Sequence, residues 1–481
     1  MVLTDDARHA ALEARDRRFD GAFFTGVTST GIYCRCVCPA RTPKRENRRF
    51  FPSAAAAERA GFRPCLVCRP EAAPGFAPID AGERLAAGAL RAIEAGALEE
   101  RGIEALAHEL GVSDRHLRRV LLRTHGASPV ALAQTHRLLS AKRLLSETGL
   151  SITEVAFAAG FSSLRRFNAL FQERYGMAPS RVRARQGAAK AARDAITLRL
   201  SARGVFDVAG AIAFVEGRAL EGIESVTGAR YRRTLRMGKG APFLVRMDFD
   251  AGGVELSFAP DQLGAVRGMI ATARRAFDLD ADVVAIDAHL ARCGLLAGDV
   301  EHEPGVRLTG GLDAFEIAMR AVLGQQVSVA AGRGLCVRLA QACGDPVADD
   351  LGLSLVFPTA AQVSGLGVDG IAALGMPRAR AEAVFVLASA VHEGTLMLSP
   401  GVRASEGLLA LKGIGPWTAS YVALRGLGDQ DAFPAGDVAL QAASGLDARA
   451  LERASQAWRP YRGYAAMRLW RRAARMKRSA G

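Results

Sequence analysis

The sequence predicts a multidomain α+β chain: a small cysteine-bearing domain, an all-α domain of two helix-turn-helix units, an antiparallel α+β domain and a second all-α domain. Three observations predict it. At 481 residues the chain is too long for one core, and three or four domains is the natural division. Five of its eight cysteines fall in two tight groups between Cys34 and Cys68. The apolar period also changes along the chain. It is helical from about 80 to 186, alternates in ITLRLS, FLVRMDFD and GVELSFA, and then returns to helical spacing with Gly/Pro punctuation. The bounds read from this are 8–75, 80–186, 194–303 and 304–481. EAAPGFAPID reads as a linker after the first domain, and RVRARQGAAKAARD leads out of the second.

Composition narrows the partners. Hydrophobic content of 49% and charged content of 23% are ordinary for a globular chain and argue against disorder. The net charge of +14 points to a polyanion, and roughly 11 of those charges lie before residue 191, so the first part suits phosphate contact best. MVLTDDARHA carries early acids and no apolar h-region, unlike a secretory signal. No stretch approaches the ~18 continuous apolar residues of a membrane span. A cytoplasmic protein without a membrane partner is expected. In a reducing compartment, clustered cysteines point to metal or catalysis rather than disulfides.

The first domain holds Cys34 and Cys38 as C-x3-C, and Cys65 and Cys68 as C-x2-C. Two short-spaced pairs across a loop can close a tetrahedral Zn²⁺ site, and spacing alone is satisfied by a purely structural knuckle. The surrounding FDGAFFTGVTSTGIYCRCVCPARTPKRENRRFF and AGFRPCLVCRP resemble the N-terminal domain of Ada-type adaptive-response proteins over about 60 residues. That resemblance implies one zinc held by Cys34, Cys38, Cys65 and Cys68, with Cys34 taking a methyl group from a DNA methylphosphotriester. It also implies Arg41, Lys44, Arg45 and Arg48 as phosphate contacts. Zinc would keep Cys34 as the nucleophilic thiolate, and the alkylated phosphate, being uncharged, would not repel it. Methylation would change the site's formal charge from −2 to −1 and ease its approach to DNA. Cys36 stands where the family commonly has proline; the matching four already fill a tetrahedron, so Cys36 is expected to be a bystander.

The second domain contains an internal repeat. GIEALAHELGVSDRHLRRVLLRTHGASP is echoed by SITEVAFAAGFSSLRRFNALFQERYGMAP. Each copy reads as helix, turn at Gly, then a helix with basic residues exposed, which is a helix-turn-helix pattern. ITEVAFAAGFSSLRRFNALFQERYGMAPS resembles the AraC-type DNA-binding domain. The resemblance implies two units reading successive major-groove segments of promoter DNA, with RNA polymerase as a further partner. Recognition helices should begin near Ser113 and Ser162. Arg115, His116, Arg118 and Arg119 are the candidate contacts in the first, and Ser163, Arg165, Arg166 and Asn168 in the second. An exposed arginine on such a helix is also well explained as a phosphate contact or a solvated face.

Near the C-terminal end, ALKGIGPWTASYVALRG has the form helix, tight G-I-G turn, helix. Gly413 and Gly415 permit close backbone approach to DNA, and Pro416 suits a first helical turn. Further on lies Asp437, in DAFPAGDVAL. Read alone, Asp437 is a helix N-cap. Together with GLDAFEIAMRAVLGQQVSVA, ALGMPRARAEAV and RPYRGYAAMRLW, however, these segments resemble the helix-hairpin-helix DNA glycosylases, specifically the AlkA-type 3-methyladenine DNA glycosylase II, from about residue 194 onward.

The resemblance implies Asp437 as the catalytic carboxylate and Trp417, Tyr421 and Trp470 as an aromatic pocket for a flipped, cationic base. Gln325 and Gln326 match the loop that fills the vacated base stack. Gln326 departs from the leucine of the best-known pattern. Trp417 stands where glycosylase/lyases carry a Schiff-base lysine, so base excision without strand cleavage is expected. No cysteine follows Cys343, which rules out a C-terminal iron–sulfur cluster. The favoured reading is therefore an alkylation-repair enzyme and transcription activator acting on double-stranded DNA as a monomer. The alternative is a transcription regulator whose glycosylase domain only binds DNA.

Overall fold

The computed structural model describes residues 4–16, 19–20, 23–51, 54–68, 70, 81–185, 195–238, 240–347, 352–398 and 404–479. The expected boundaries at 75, 80, 186 and 194 lie outside them. The chain divides into two compact units, the first built on residues 1–87 and the second on nearly all the rest. Among the described residues no helix is long and apolar enough to cross a membrane.

The first unit is a four-stranded sheet of β1 (Phe24–Val27), β2 (Ile32–Arg35), β3 (Arg48–Phe51) and β4 (Arg63–Pro64), in the order β3-β1-β2-β4. β1 is antiparallel to β2 and β3, while β4 runs parallel to β2. Gly26 in β1 is dictated by packing: a Cβ there would lie 2.8 Å from the rings of Phe51 and Phe62. The helix Asp5–Glu13, capped by Thr4, buries Ala11 and Leu12 with Phe23, Cys36 and Val37.

In the second unit, the two helix-turn-helix copies are built alike. Helices Ala97–Glu109 and Asp114–His125 flank Gly111 at φ +71°; helices Ile152–Ala158 and Leu164–Tyr175 flank Gly160 at φ +86°. This left-handed backbone is the reason glycine recurs at the turn. Helix Pro129–Glu147 joins the copies. The first recognition helix starts after Ser113 as expected. The second starts one residue later than expected, because Ser163 rather than Ser162 caps it, its hydroxyl accepting from the Arg166 amide at 3.3 Å.

The α+β portion is a wholly antiparallel sheet of β5 (Ile196–Ser201), β6 (Glu224–Thr227), β7 (Arg230–Leu235), β8 (Phe243–Asp250) and β9 (Gly253–Phe258), in the order β5-β9-β8-β7-β6. Its inward residues share a core with helices Val208–Glu216 and Val266–Ala276. Arg233 on β7 is buried and bridges Glu224 on β6 and Glu316 on helix Ala314–Leu323, the latter at 2.6 Å. Arg320 pairs with the same two carboxylates. Each buried charge has an opposite partner, as the desolvation cost requires. The remaining helices form two apolar clusters. One joins Ala314–Leu323, Val329–Cys343, Arg378–His392 and Pro416–Arg425. The other joins Val283–Leu290 and Gly294–His302 to the last helix, Arg462–Ser479, so residues up to 302 already share a core with the C-terminal helix.

Candidate functional site

The metal centre is assembled by the sheet of the first unit. Cys34 sits on β2, opposite Thr25 of β1. A turn with the Cys38 amide donating to the Arg35 carbonyl at 3.2 Å brings Cys38 back beside it. Cys65 follows β4 directly and is fixed by its amide, which donates to the Tyr33 carbonyl at 3.0 Å. The four Sγ atoms of Cys34, Cys38, Cys65 and Cys68 lie within 4.8 Å of one another, and Cys38 and Cys65 are 4.0 Å apart. Tetrahedral zinc–thiolate geometry calls for about 3.8 Å between sulfurs, so the donor set fits zinc. The Arg35 amide donates to the Cys68 sulfur at 3.4 Å, and the buried Arg35 guanidinium is held by Asp20. Cys34 is the most exposed of the four; the other three are buried.

Cys36 is not part of this cluster. Its side chain packs with Ala11, Leu12, Phe23 and Val37, 3.5 Å from the Asp16 carbonyl, and burial pushes its thiol up to about 12. The basic residues nearby divide into two kinds. Arg41 and Lys44 are exposed and line a depression of about 700 Å³ together with Ser29, Thr30 and Asn47. Arg45 is exposed and paired with Asp6. Arg48 departs from the expectation of phosphate contact: its side chain is only 6% exposed and is consumed by the Pro43 carbonyl and Glu13, each at 2.9 Å.

On the recognition helices, Arg115, Arg118 and Arg119 are exposed while Leu117 and Val120 face the core; Arg165, Arg166 and Asn168 are exposed while Phe167 and Phe171 are buried. His116 is half-buried and lies 3.0 Å from Arg119 through Nδ1. The Ser163 hydroxyl is spent on the helix cap.

In the last domain the two glycines of the hairpin do different work. Gly413 has φ +87°, and a Cβ there would lie 2.6 Å from that of Ala383, so glycine is required for the fold itself. Gly415 meets nothing within 4 Å, leaving the start of helix Pro416–Arg425 open to an approaching backbone. Gln325 is half-buried, and its side-chain amide donates to the Gly413 carbonyl at 3.2 Å and the Thr418 hydroxyl at 2.9 Å, tying its loop to the hairpin. Gln326 is exposed and held at φ +54°, an uncommon backbone for a residue with a side chain.

Asp437 caps helix Val438–Ser444: its Oδ1 accepts the amides of Ala439 at 2.9 Å and Leu440 at 3.1 Å. It also accepts the indole N–H of Trp417 at 2.8 Å on Oδ2 and that of Trp470 at 3.1 Å on Oδ1. Trp417 and Tyr421 stack, with centroids 5.2 Å apart and planes at 20°; Tyr421 meets Trp470 edge-on at 6.2 Å. The aromatic set and the carboxylate are therefore one site. Three residues not singled out from sequence complete it. Arg425 lies 4.7 Å from the Trp470 ring centroid and 4.5 Å from that of Phe214, and Arg218 lies 4.5 Å from the same Phe214 ring. Burial alone would raise the Tyr421 phenol, but these two guanidiniums outweigh it and hold the phenol below its usual value. Burial in turn pulls Arg425 down to about 9. Phe214 and Arg218 come from the α+β portion, far away in sequence, so no local motif pointed to them.

Comparison with known proteins agrees with this architecture. Residues 7–71 match the metal binding domain of Ada, residues 106–185 a helix-turn-helix domain, and residues 197–313 the AlkA N-terminal domain. Fold and site thus define a fusion of an Ada-type metal domain, a helix-turn-helix domain and an AlkA-type body. The chain is 40% identical over 484 residues to a Mycobacterium tuberculosis protein described as "Probable bifunctional transcriptional activator/DNA repair enzyme AlkA", covering 96% of this chain and 95% of that protein. It belongs to that family. The chain is also similar to DNA-3-methyladenine glycosylase 2 of Escherichia coli, at 34% identity over 55% of this chain and 93% of that one. It is similar as well to the bifunctional transcriptional activator/DNA repair enzyme Ada of Escherichia coli, at 36% identity over 38% of this chain and 49% of Ada.

Proposed function

We propose that the chain excises alkylated purines from double-stranded DNA by N-glycosidic hydrolysis, and that its first two domains sense DNA methylation and activate transcription. The observation that carries the excision reading is the Asp437 carboxylate held between two indole N–H groups at the edge of a stacked aromatic site. A flipped 3-methyladenine-type base would stack on Trp417, Tyr421 and Trp470, which suits a cationic ring. As the bond from C1′ to the base breaks, its electron pair leaves with the base and neutralises it. Asp437 stabilises the positive charge left on the sugar, and a water oxygen adds to C1′ while its proton passes to the Asp437 carboxylate. Trp417 leaves no amine for a Schiff base at that position, and the hairpin's lysine, Lys412, is exposed and paired with Glu382 at 2.9 Å. The products are the free base and an intact abasic strand.

In the first domain one zinc ion on Cys34, Cys38, Cys65 and Cys68 would supply thiolate chemistry. Cys34, the most accessible of the set, is the methyl acceptor: its sulfur attacks the methyl carbon and the phosphodiester oxygen leaves with the bonding pair. Arg41 and Lys44 hold phosphates in this reading, which their exposure at the rim of the depression supports. Arg115, Arg165 and Arg166 face promoter DNA from the recognition helices, and RNA polymerase is the expected further partner. The test is to incubate the purified protein with methylated duplex DNA. Release of free alkylpurine, together with methyl groups bound to the protein at Cys34, supports the reading; neither product would overturn it. DNA binding without base release would leave the regulator-only reading, which Asp437's place as a helix cap favours.

A further inference from the structure

The strand β5 lies at the edge of its sheet, and an edge strand exposes unpaired backbone groups. Here the edge is met by the helix-turn-helix domain. The Arg199 amide of β5 donates to the Glu147 carboxylate at 3.2 Å. Glu147 ends the helix that joins the two helix-turn-helix copies, and Arg143 one turn earlier holds both its oxygens at 3.1 Å. A second contact reaches the turn of the second copy. Arg267, on helix Val266–Ala276, is 8% exposed. Its Nη2 donates to the Ile93 carbonyl at 3.3 Å, and its Nη1 lies where a Cβ on Gly160 would fall, at 2.4 Å. Arg137, from the joining helix, donates to the Gly160 carbonyl at 3.4 Å. Between these contacts the apolar residues are continuous. Leu144, Val155 and Phe161 share a core with Ile196, Leu198 and Leu200 of β5, and helix Ile152–Ala158 packs on residues 260–265.

We propose that the edge of the α+β sheet and Arg267 form a docking surface for the second helix-turn-helix unit, so that Arg267, a residue of the base-excision half, is a positioning residue for promoter binding. The turn at Gly160 sets how the recognition helix Leu164–Tyr175 projects from its partner helix, and Arg267 fills the space beside that turn. DNA that seats the recognition helix is then linked to order in residues 260–276, because a ligand stabilises whatever its binding conformation requires. The proposal rests on reading residues 97–185 as DNA-binding.

The experiment uses the full chain and an undamaged duplex that the wild-type protein selects from a random-sequence pool. Arg267→Met keeps much of the side chain's length but removes the guanidinium, and it should weaken binding to that duplex on the order of 10-fold, within the usual range of coupling. Single-turnover release of alkylpurine from methylated DNA should stay within about twofold, since Arg267 is no part of the base site. Hydrogen exchange supplies an independent reading: the selected duplex should slow exchange in residues 196–201 and 260–276 as well as in the recognition helices. Wild-type affinity in Arg267→Met, or protection confined to residues 97–185, would overturn the proposal. Selection of no duplex at all would sink the regulator reading and the proposal with it.

Discussion

The Trp417 indole N–H donates to Asp437 across 20 residues of chain, at 2.8 Å, and Trp470 donates to the other oxygen of the same carboxylate at 3.1 Å. Two rings that stack as pocket walls therefore also aim the carboxylate. Trp417→Phe keeps a ring to stack on Tyr421 and deletes only the donor. A hydrogen bond to a charged group contributes ~1.5–3 kcal/mol, so base release should slow roughly 10- to 100-fold under single-turnover conditions. Binding of undamaged DNA should hardly change. An undiminished rate would show that Trp417 acts as a wall alone.

Residues 412–417 and Asp437 were legible in sequence because the chemistry there is local: a glycine turn, a proline start and a capping residue. The four cysteines were legible by spacing. Strand β7, RYRRTL, was harder to read, because Arg233 occupies an inward position that alternation reserves for apolar residues. Glu224 on the neighbouring strand and the distant Glu316 together make that burial tolerable. The same limit hid Phe214 and Arg218, which reach the aromatic site from another domain. Arg48 was misread for a related reason: helix Asp5–Glu13 supplies the carboxylate that takes it up.

The metal centre predicts a clear asymmetry among five cysteines. Purified protein should hold about one zinc per chain by elemental analysis. Serine at Cys38, Cys65 or Cys68 should lower that occupancy. Cys36→Ala should retain full zinc, because its side chain packs with Leu12 and Phe23 and not with the other sulfurs. Loss of zinc in Cys36→Ala, or its retention in all three ligand variants, would refute the assignment.

Asp278 predicts a pH dependence of stability. Burial raises its carboxyl to about 6, despite the Leu308 amide and Tyr464 hydroxyl that donate to it. The folded value lies above the unfolded value of about 3.9, so this contribution is fully present below about pH 4 and lost as pH rises through 6. The loss is on the order of 3 kcal/mol. Asp278→Asn should remove it, so thermal melts should show the variant gaining on wild type between pH 4 and 7. A constant difference across that range would contradict the burial argument.

Asp437→Asn separates a carboxylate that stabilises a cationic sugar from one that only caps a helix. The asparagine oxygen can still accept the Ala439 and Leu440 amides and the Trp470 indole, so the helix cap survives, while the negative charge is gone and an amide N–H faces Trp417. The measurement is single-turnover release of 3-methyladenine from methylated duplex DNA at saturating protein. If Asp437 stabilises the cationic sugar, the rate should fall about 10²-fold or more, with DNA binding retained. A rate equal to that of the wild type would show that Asp437 is only a helix cap and that its charge does not stabilise the sugar cation.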